Sequence, residues 1–432
     1  MNRRELLKSS AFAAAGVATA QFLGPVKAIA ADAKRIRIKD IEIFAVRLPK
    51  AANAPAASAP TTNVDPFNLV CTRLTTESGA RGYSFATGTS ANVEAARKVM
   101  VGEDLFALEQ HLGRGLINWP HIEEAVWDAI GRIAGQPVYR LLGGARAVSQ
   151  PVYLTYTWPR VNGVFQANPK QQGEWAAVVR KAGFKAMKIQ IFRPNYMEDV
   201  EACREILAAG GPGFRVMVDR TAGNSGSLWD YPTGLAATKA CQEAGVYWVE
   251  EPFDRNDFEG PARLAREVDI LITGGEGYKG LAPYRECLTH NTYDILQPEL
   301  NTVGGILTMR KVGALCQAWG VPICPHASSG LGLAGRVQCS AAMGSMYQEI
   351  GVLNPPLMPN DRVTPAMPIL NSEPFAFKDG ELLIPQGPGL GLDLNEEALN
   401  KFRVEGPVMG RGGRGEGPSQ PGPGGRGGRG NQ

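Results

Sequence analysis

The sequence predicts an α/β protein: a (β/α)8-type barrel, a modified TIM barrel, carrying an N-terminal α+β capping domain. Three observations predict it. Apolar runs of strand composition recur eight times from Val152 onward, with helical stretches between them, as expected of parallel strands joined by helical crossovers. The residues before them run strands first and helices after, a texture that marks a separate α+β unit. Acidic residues close three consecutive apolar runs, at the strand ends where a parallel barrel gathers its functional groups.

The elements follow in chain order. Residues 1–30 place Arg3 and Arg4 ahead of Leu6, Leu7 and Lys8, then a weakly apolar Ala-rich stretch, then Ala28-Ile29-Ala30. This reads as a twin-arginine signal peptide cleaved after Ala30, so the protein is expected to be exported to the periplasm. The stretch is too short and too rich in small residues to leave a stable membrane anchor after processing. The capping domain spans residues 31–150. Within it IRIKDIEIFAVRLP alternates as a strand, and NLVCTRLTTESGARGYSFATG gives two strands about a TESGARG turn. Between them, at about 50–66, lies a loop rich in small residues and proline that carries no readable code. Residues 91–143 are helical in pattern.

The barrel spans 151–370, with strands PVYLTYT, AMKIQIF, FRVMVD, VYWVE, DILITGGE, YDILQPE, VPICPH and a weaker MYQEIGV. Residues 371–405 return to complete the cap, and 406–432 form a Gly/Arg/Pro-rich tail whose composition predicts disorder.

Charge and cysteines exclude several functions. The net charge is +3, but the leader and the tail each contribute about +3, which leaves residues 31–405 near −3. The folded body therefore lacks the basic bulk of a nucleic-acid binder. The seven cysteines stand singly, without CxxC or metal-ligand spacing, and buried free thiols are expected.

Period two sorts the strand side chains. In AMKIQI, Met187, Ile189 and Ile191 share one face while Lys188 and Gln190 share the other. Val216 and Val218 oppose Asp219, Val249 opposes Glu250, and Cys324 shares a face with His326. If the apolar faces pack on outer helices, the polar members point into the barrel mouth. Asp219, Glu250 and Glu276 then converge from consecutive strands, followed by Glu299 and His326. Three converging carboxylates repel one another and raise one another's pKa unless a cation sits among them. All-oxygen ligation selects Mg²⁺ over zinc.

These fragments together resemble the enolase superfamily, in its mandelate racemase and muconate lactonizing branch, over about residues 36–400. VWDAIGRIAGQPVYRLLGG resembles that family's passage from cap to barrel, and GFKAMKIQIF its lysine-bearing second strand. MVD, WVEEP and GGEG resemble its three ligand strands, implying Asp219, Glu250 and Glu276 as ligands to one Mg²⁺ per subunit. QPELNTVGGI and VPICPHASSG resemble the strands of its carboxylate–histidine dyad, here Glu299 and His326. YQEIG resembles its eighth strand and implies Glu349 as an acid that binds substrate or assists the enolate. The resemblance implies a sugar-acid or other small carboxylate as substrate, and a homo-oligomer is expected.

Two departures narrow the expected chemistry. The family often carries Lys-x-Lys on strand two, whereas this chain has Lys188-Ile189-Gln190. The dyad acid is usually Asp, whereas here it is Glu299. His326 is then the one base near neutral pH, with Lys188 left to contact the substrate carboxylate or stabilise charge. One base on one face suits syn elimination of water from a sugar acid through an enediolate. Racemisation, epimerisation or cycloisomerisation by the same superfamily chemistry is the alternative, and a non-catalytic carboxylate-binding barrel is the alternative of another class. Among further residues, Gln190 either bonds substrate or fills the space of the missing lysine. Arg193 either pairs with a substrate carboxylate or is a solvated loop charge, and Tyr156 either lines the pocket or packs. Glu251 should face away from the mouth into a structural ion pair.

Overall fold

Alternating apolar residues build the cap sheet. Ile38, Ile41, Phe44, Val46 and Leu48 of β1 (Ile38–Leu48) are buried, and β1 pairs antiparallel with β2 (Phe67–Thr76) and β2 with β3 (Arg81–Ser84). The computed structural model describes residues 35–49, 67–161, 164–221, 228–326, 329–353 and 355–408. The leader 1–30, the cap loop at 50–66 and the tail from residue 409 lie outside the described residues. Helix α1 (Ser90–Met100) starts at a reciprocal cap between Thr89 and Asn92. Helix α2 (Pro120–Ala134) starts with Pro120 in its first turn and ends on Gly135 in the left-handed conformation. Gly82 lets β3 lie directly on α2, since a Cβ there would stand 2.0 Å from Ala125 O.

The barrel strands are β4 (Ser149–Tyr156), β5 (Ala186–Gln190), β6 (Arg215–Asp219), β7 (Trp248–Glu250), β8 (Leu271–Gly274), β9 (Ile295–Leu296) and β10 (Gln348–Leu353). Strands β4 to β9 are neighbours in order, all parallel, and β10 pairs parallel with β4 to close the ring. The expected strand VPICPH is reduced to bridges at Ile323 and His326, with Met346 N–H donating to Ile323 O at 3.2 Å on its other side. Pro298, Pro322 and Pro325 explain this: each removes a backbone donor from the ladder.

Inward and outward faces divide as period two predicts. Met187, Ile189, Val216, Val218 and Val249 join the main core against the outer helices. Tyr153, Ala186, Met217, Trp248, Ile295 and Cys324 form a separate cluster inside the barrel. Lys188, Asp219, Glu250, Gln297 and His326 lie two residues further along the same strands and faces, so the polar layer stands on this apolar floor.

The C-terminal segment serves both parts. Glu381–Leu383 adds antiparallel to the start of β4, whereas Arg403–Val404 pairs antiparallel with β1 in the cap. All seven cysteines are free and buried.

Candidate active site

The register of the parallel strands sets the site. Gln190 pairs with Asp219, Asp219 with Glu250, and Glu250 with Thr273, so strand ends β5 to β8 are level at the mouth. The backbone turns sharply just beyond two of these ends. Thr221 and Glu251 have φ of +44° and +47°, conformations that cost about 1–3 kcal/mol for side chains of this kind. Local bonds hold them there: Thr221 N–H donates to Asp219 Oδ1 at 2.6 Å, and Glu251 N–H to Thr273 O at 2.9 Å.

Lys188 is the hub of one half of the site. It is 1% exposed, and its Nζ lies 2.7 Å from Glu250 Oε2, 2.9 Å from Glu349 Oε1 and 3.9 Å from Asp219 Oδ2. Burial alone would lower its pKa, but these three carboxylates outweigh burial and hold it well above the usual lysine range. Glu349 is the counterpart: burial pushes it up, yet Lys188 and His326, with a bond from Thr155 Oγ1, draw it down to about 2. These contacts favour the ammonium form of Lys188.

The second half is centred on His326. Its Nδ1 lies 2.9 Å from Glu299 Oε2 and its Nε2 3.1 Å from Glu276 Oε2. Burial disfavours the imidazolium, but Glu276, Glu349 and Glu299 outweigh it and raise the pKa well above the usual histidine range. Its side chain is 32% exposed against 1% for Lys188, so it is the one of the two that faces the mouth. Glu299 is held ionised: burial pushes it up, but Arg336 and His326 draw it down to about 2.

Asp219, Glu250 and Glu276 are the acids expected to hold a cation. Among the described residues no three His, Cys, Asp or Glu side chains are drawn together at ligand distance. Protein cations hold the acids instead: Lys188 takes Glu250, and Arg255 bridges Glu276 and Glu251. The donor set nonetheless fits Mg²⁺. All three donors are carboxylates on consecutive strand ends, Asp219 meets Lys188 only at 3.9 Å, and buried Glu250 Oε1 has no hydrogen-bond partner among the described residues. Burial and their acidic neighbours push both Asp219 and Glu250 above the usual carboxylate range, the strain that a divalent cation relieves.

The remaining expected residues divide. Gln190 sits at the end of β5, level with Asp219. Arg193 is not brought to the cluster: its guanidinium pairs with Asp199 at 2.5 Å and donates to Ala167 O and Gln172 Oε1 at 2.8 and 3.0 Å. Tyr156 is fully buried on the outward face of β4, with its hydroxyl donating to Leu357 O at 3.2 Å and its ring against Trp158 and Trp175. Tyr156 is turned from the mouth because it stands one residue past Thr155 on β4, and Arg193 because Asp199 engages it in the loop beyond β5. Glu251 lies in the ion pair with Arg255, on the side expected of it.

Sequence reasoning missed Gln297, Thr155, Arg255 and Arg336. Gln297 Nε2 donates to Glu250 Oε2 at 2.9 Å, and Thr155 bonds Glu349. Period two, carried back from Glu299 along YDILQPE and on from Tyr153, would have found these two. Arg255 and Arg336 lie on a loop and a helix, where no strand period reports them.

Comparison with known proteins places this arrangement. The profile of the family described as enolase C-terminal domain-like matches residues 172–398. The chain is 32% identical over 299 residues to D-galactarolactone cycloisomerase of Agrobacterium fabrum, covering 68% of this chain and 76% of that protein. It is 25% identical over 364 residues to arabinonate dehydratase of Saccharolobus solfataricus, covering 79% and 92%. The crystal structure of D-glucarate dehydratase from Agrobacterium tumefaciens complexed with magnesium superposes with a TM-score of 0.73 at 26% identity, over 86% of this chain and 100% of that one. The barrel and its cap are shared with these proteins, and the chain belongs to the mandelate racemase and muconate lactonizing branch of the enolase superfamily.

Proposed function

We propose that this protein removes the proton α to the carboxylate of a sugar acid and eliminates the β-hydroxyl as water, with one Mg²⁺ per subunit held by Asp219, Glu250 and Glu276. The observation that carries it is the contrast between the two basic side chains. Lys188 is enclosed by three carboxylates, while His326 faces the mouth, with Gln190 where a second base would stand. Bound Mg²⁺ supplies Lewis-acid stabilisation of the charge that develops on a substrate carboxylate as its α-proton leaves.

The chain's residues perform the rest. With Glu276 committed to the cation, His326 would lose the acceptor that now faces Nε2 and, with Nδ1 donating to Glu299, could take the α-proton there. The C–O bond at the β-carbon then breaks, and the proton on Nε2 passes to the departing hydroxyl, which leaves as water. Because one residue gives and takes on one face, the elimination is syn. Lys188 and Glu349 fix the charge balance of the opposite wall.

The cycloisomerase relative favours a second reading. In a lactone the β-oxygen that leaves belongs to the ring, so the same proton transfer opens the ring and no water is lost. A screen of sugar acids and their lactones in D₂O separates these. Loss of water supports dehydration, and ring opening without it supports the second reading. α-Deuteration without either product would instead establish a racemase or epimerase. His326→Asn should lower every exchange and elimination rate by about 10²–10⁴-fold. A variant that still exchanged at the wild-type rate, or a wild-type protein that turned over none of the acids, would overturn the proposal.

A further inference from the structure

Glu299 is the acid that orients the base, and its carboxylate sits at the end of a flexible side chain. What holds it lies outside the strands. Arg336, on the helix Ala334–Met343 that follows His326 in the chain, is 2% exposed. Its Nη2 donates to Glu299 Oε1, its Nε to Glu299 Oε2 at 3.3 Å, and its Nη1 to Gly332 O at 2.6 Å. Asn301 N–H adds a bond to Glu299 Oε1 at 3.0 Å, leaving Oε2 to face His326 Nδ1 at 2.9 Å. The guanidinium is planar, always charged, and matched to both oxygens of one carboxylate.

A second contact stands behind it. Glu124 of α2 is buried, accepts from Ser84 Oγ at 2.9 Å, and packs its carboxyl carbon 2.9 Å from where a Cβ on Gly335 would lie. Glycine at 335 therefore admits the cap helix beside the arginine-bearing turn. A buried ion pair is weak evidence of stabilisation, because desolvation offsets most of its attraction. Its fixed geometry is the more telling feature.

We propose that Arg336 is a positioning residue for the base: its fork fixes the Glu299 carboxylate, and through Oε2 it fixes the His326 ring with Nδ1 on Glu299 and Nε2 toward the mouth. The inference rests on the proposed role of His326, and its test is built to separate the two. The full-length, Mg²⁺-loaded protein is labelled with ¹⁵N-histidine, and His326 is identified among the four histidines by its loss in His326→Asn. At a pH where His326 is neutral, wild type should show a single tautomer protonated at Nδ1. Arg336→Lys keeps the charge but loses the fork, and should show mixed tautomers. Its turnover should fall by about 10²-fold, the loss typical of a misplaced reacting group, with KM and Mg²⁺ affinity within twofold of wild type.

Arg336→Met removes the charge as well and should lose more. Should it fail to fold, Arg336→Lys and the charge-balanced pair Glu299→Gln with Arg336→Met carry the comparison, and in the Glu299→Gln background the second change should add little. An unchanged His326 tautomer in Arg336→Lys, or a full additional loss in the double variant, would overturn the proposal. Should wild type process no sugar acid, the reaction assigned above fails, while the tautomer comparison still decides the role of Arg336.

Discussion

Glu250 shows at the scale of one residue why a buried carboxylate is retained. An uncompensated buried charge costs several kcal/mol, yet Glu250 is 1% exposed. Lys188 at 2.7 Å and Gln297 at 2.9 Å both meet Oε2, and Oε1 is left with no partner among the described residues. An acid half satisfied by the protein fits the metal-ligand role proposed for Glu250. Glu250→Gln keeps the shape and the bond to Lys188 but loses the anionic donor. Its Mg²⁺ affinity should fall by at least about 10–100-fold, the loss seen even when a partner one step removed from a metal is changed. Titration calorimetry with Mg²⁺, beside a thermal melt showing an intact fold, checks this, and wild-type affinity would remove Glu250 from the ligand set. The residue was legible in the sequence because strand period and strand end together single it out. Arg193 and Tyr156 were not, because their positions next to the mouth do not reveal that Asp199 and Leu357 engage them.

At the scale of an element, helix α2 carries an unusual load. Glu123, Glu124 and Asp128 are all buried on it, where it passes between the cap sheet and the barrel. Asp128 is well satisfied by Tyr83 N–H, Leu390 N–H and Arg132 at 2.9, 2.7 and 2.6 Å. Glu123 accepts from Leu307 N–H at 2.7 Å and Trp127 Nε1 at 3.2 Å, but its Oε2 has no partner among the described residues. Burial pushes both Glu123 and Glu124 up to about 7. The sign follows from proton linkage: the folded state holds a proton that the unfolded state has lost between the ordinary glutamate value and about 7. This contribution is fully present below the ordinary value and is lost as pH rises through that window. Glu123→Gln has no proton to lose. Relative to wild type it should gain about 1–3 kcal/mol of stability between pH 5 and pH 8. Denaturant melts at the two pH values measure it, and parallel pH profiles for the two proteins would show that Glu123 is already ionised in the fold. The helical pattern of α2 was readable in the sequence, but the burial of its acids was not, since nothing local says that barrel and cap both cover it.

At the scale of the whole molecule, the barrel was legible and the way it is tied to its cap was not. Eight apolar runs and their polar alternates predict the ring and its inner layers, because both depend on local period. The C-terminal return depends on pairings hundreds of residues apart. Val404 pairs with Ala45 and Arg403 with Val46, and Arg403 Nη1 donates to Glu42 Oε2 at 2.6 Å. Tyr83 hydroxyl donates to Glu396 Oε1 at 2.6 Å, Arg73 Nη1 to Asn400 Oδ1 at 3.0 Å, and Leu399 is fully buried. Further back, Phe377–Lys378 and Glu381–Leu383 extend the barrel sheet from β4, so one segment holds both bodies. A chain ending at Leu394 keeps the barrel attachment and loses the cap attachment, whereas a chain ending at Val408 keeps both. Losing one buried leucine and several partly buried hydrogen bonds should cost about 3–6 kcal/mol. That corresponds to a melting temperature lower by roughly 5–20 °C than in the chain ending at Val408. Hydrogen exchange should locate the loss in β1 and β3, with the strands around Lys188 and Asp219 protected as before. Equal melting temperatures would mean that the cap sheet stands on β1 to β3 and α2 alone. Uniform loss of protection across cap and barrel would mean that the two bodies unfold as one, with the returning segment as part of a single cooperative unit.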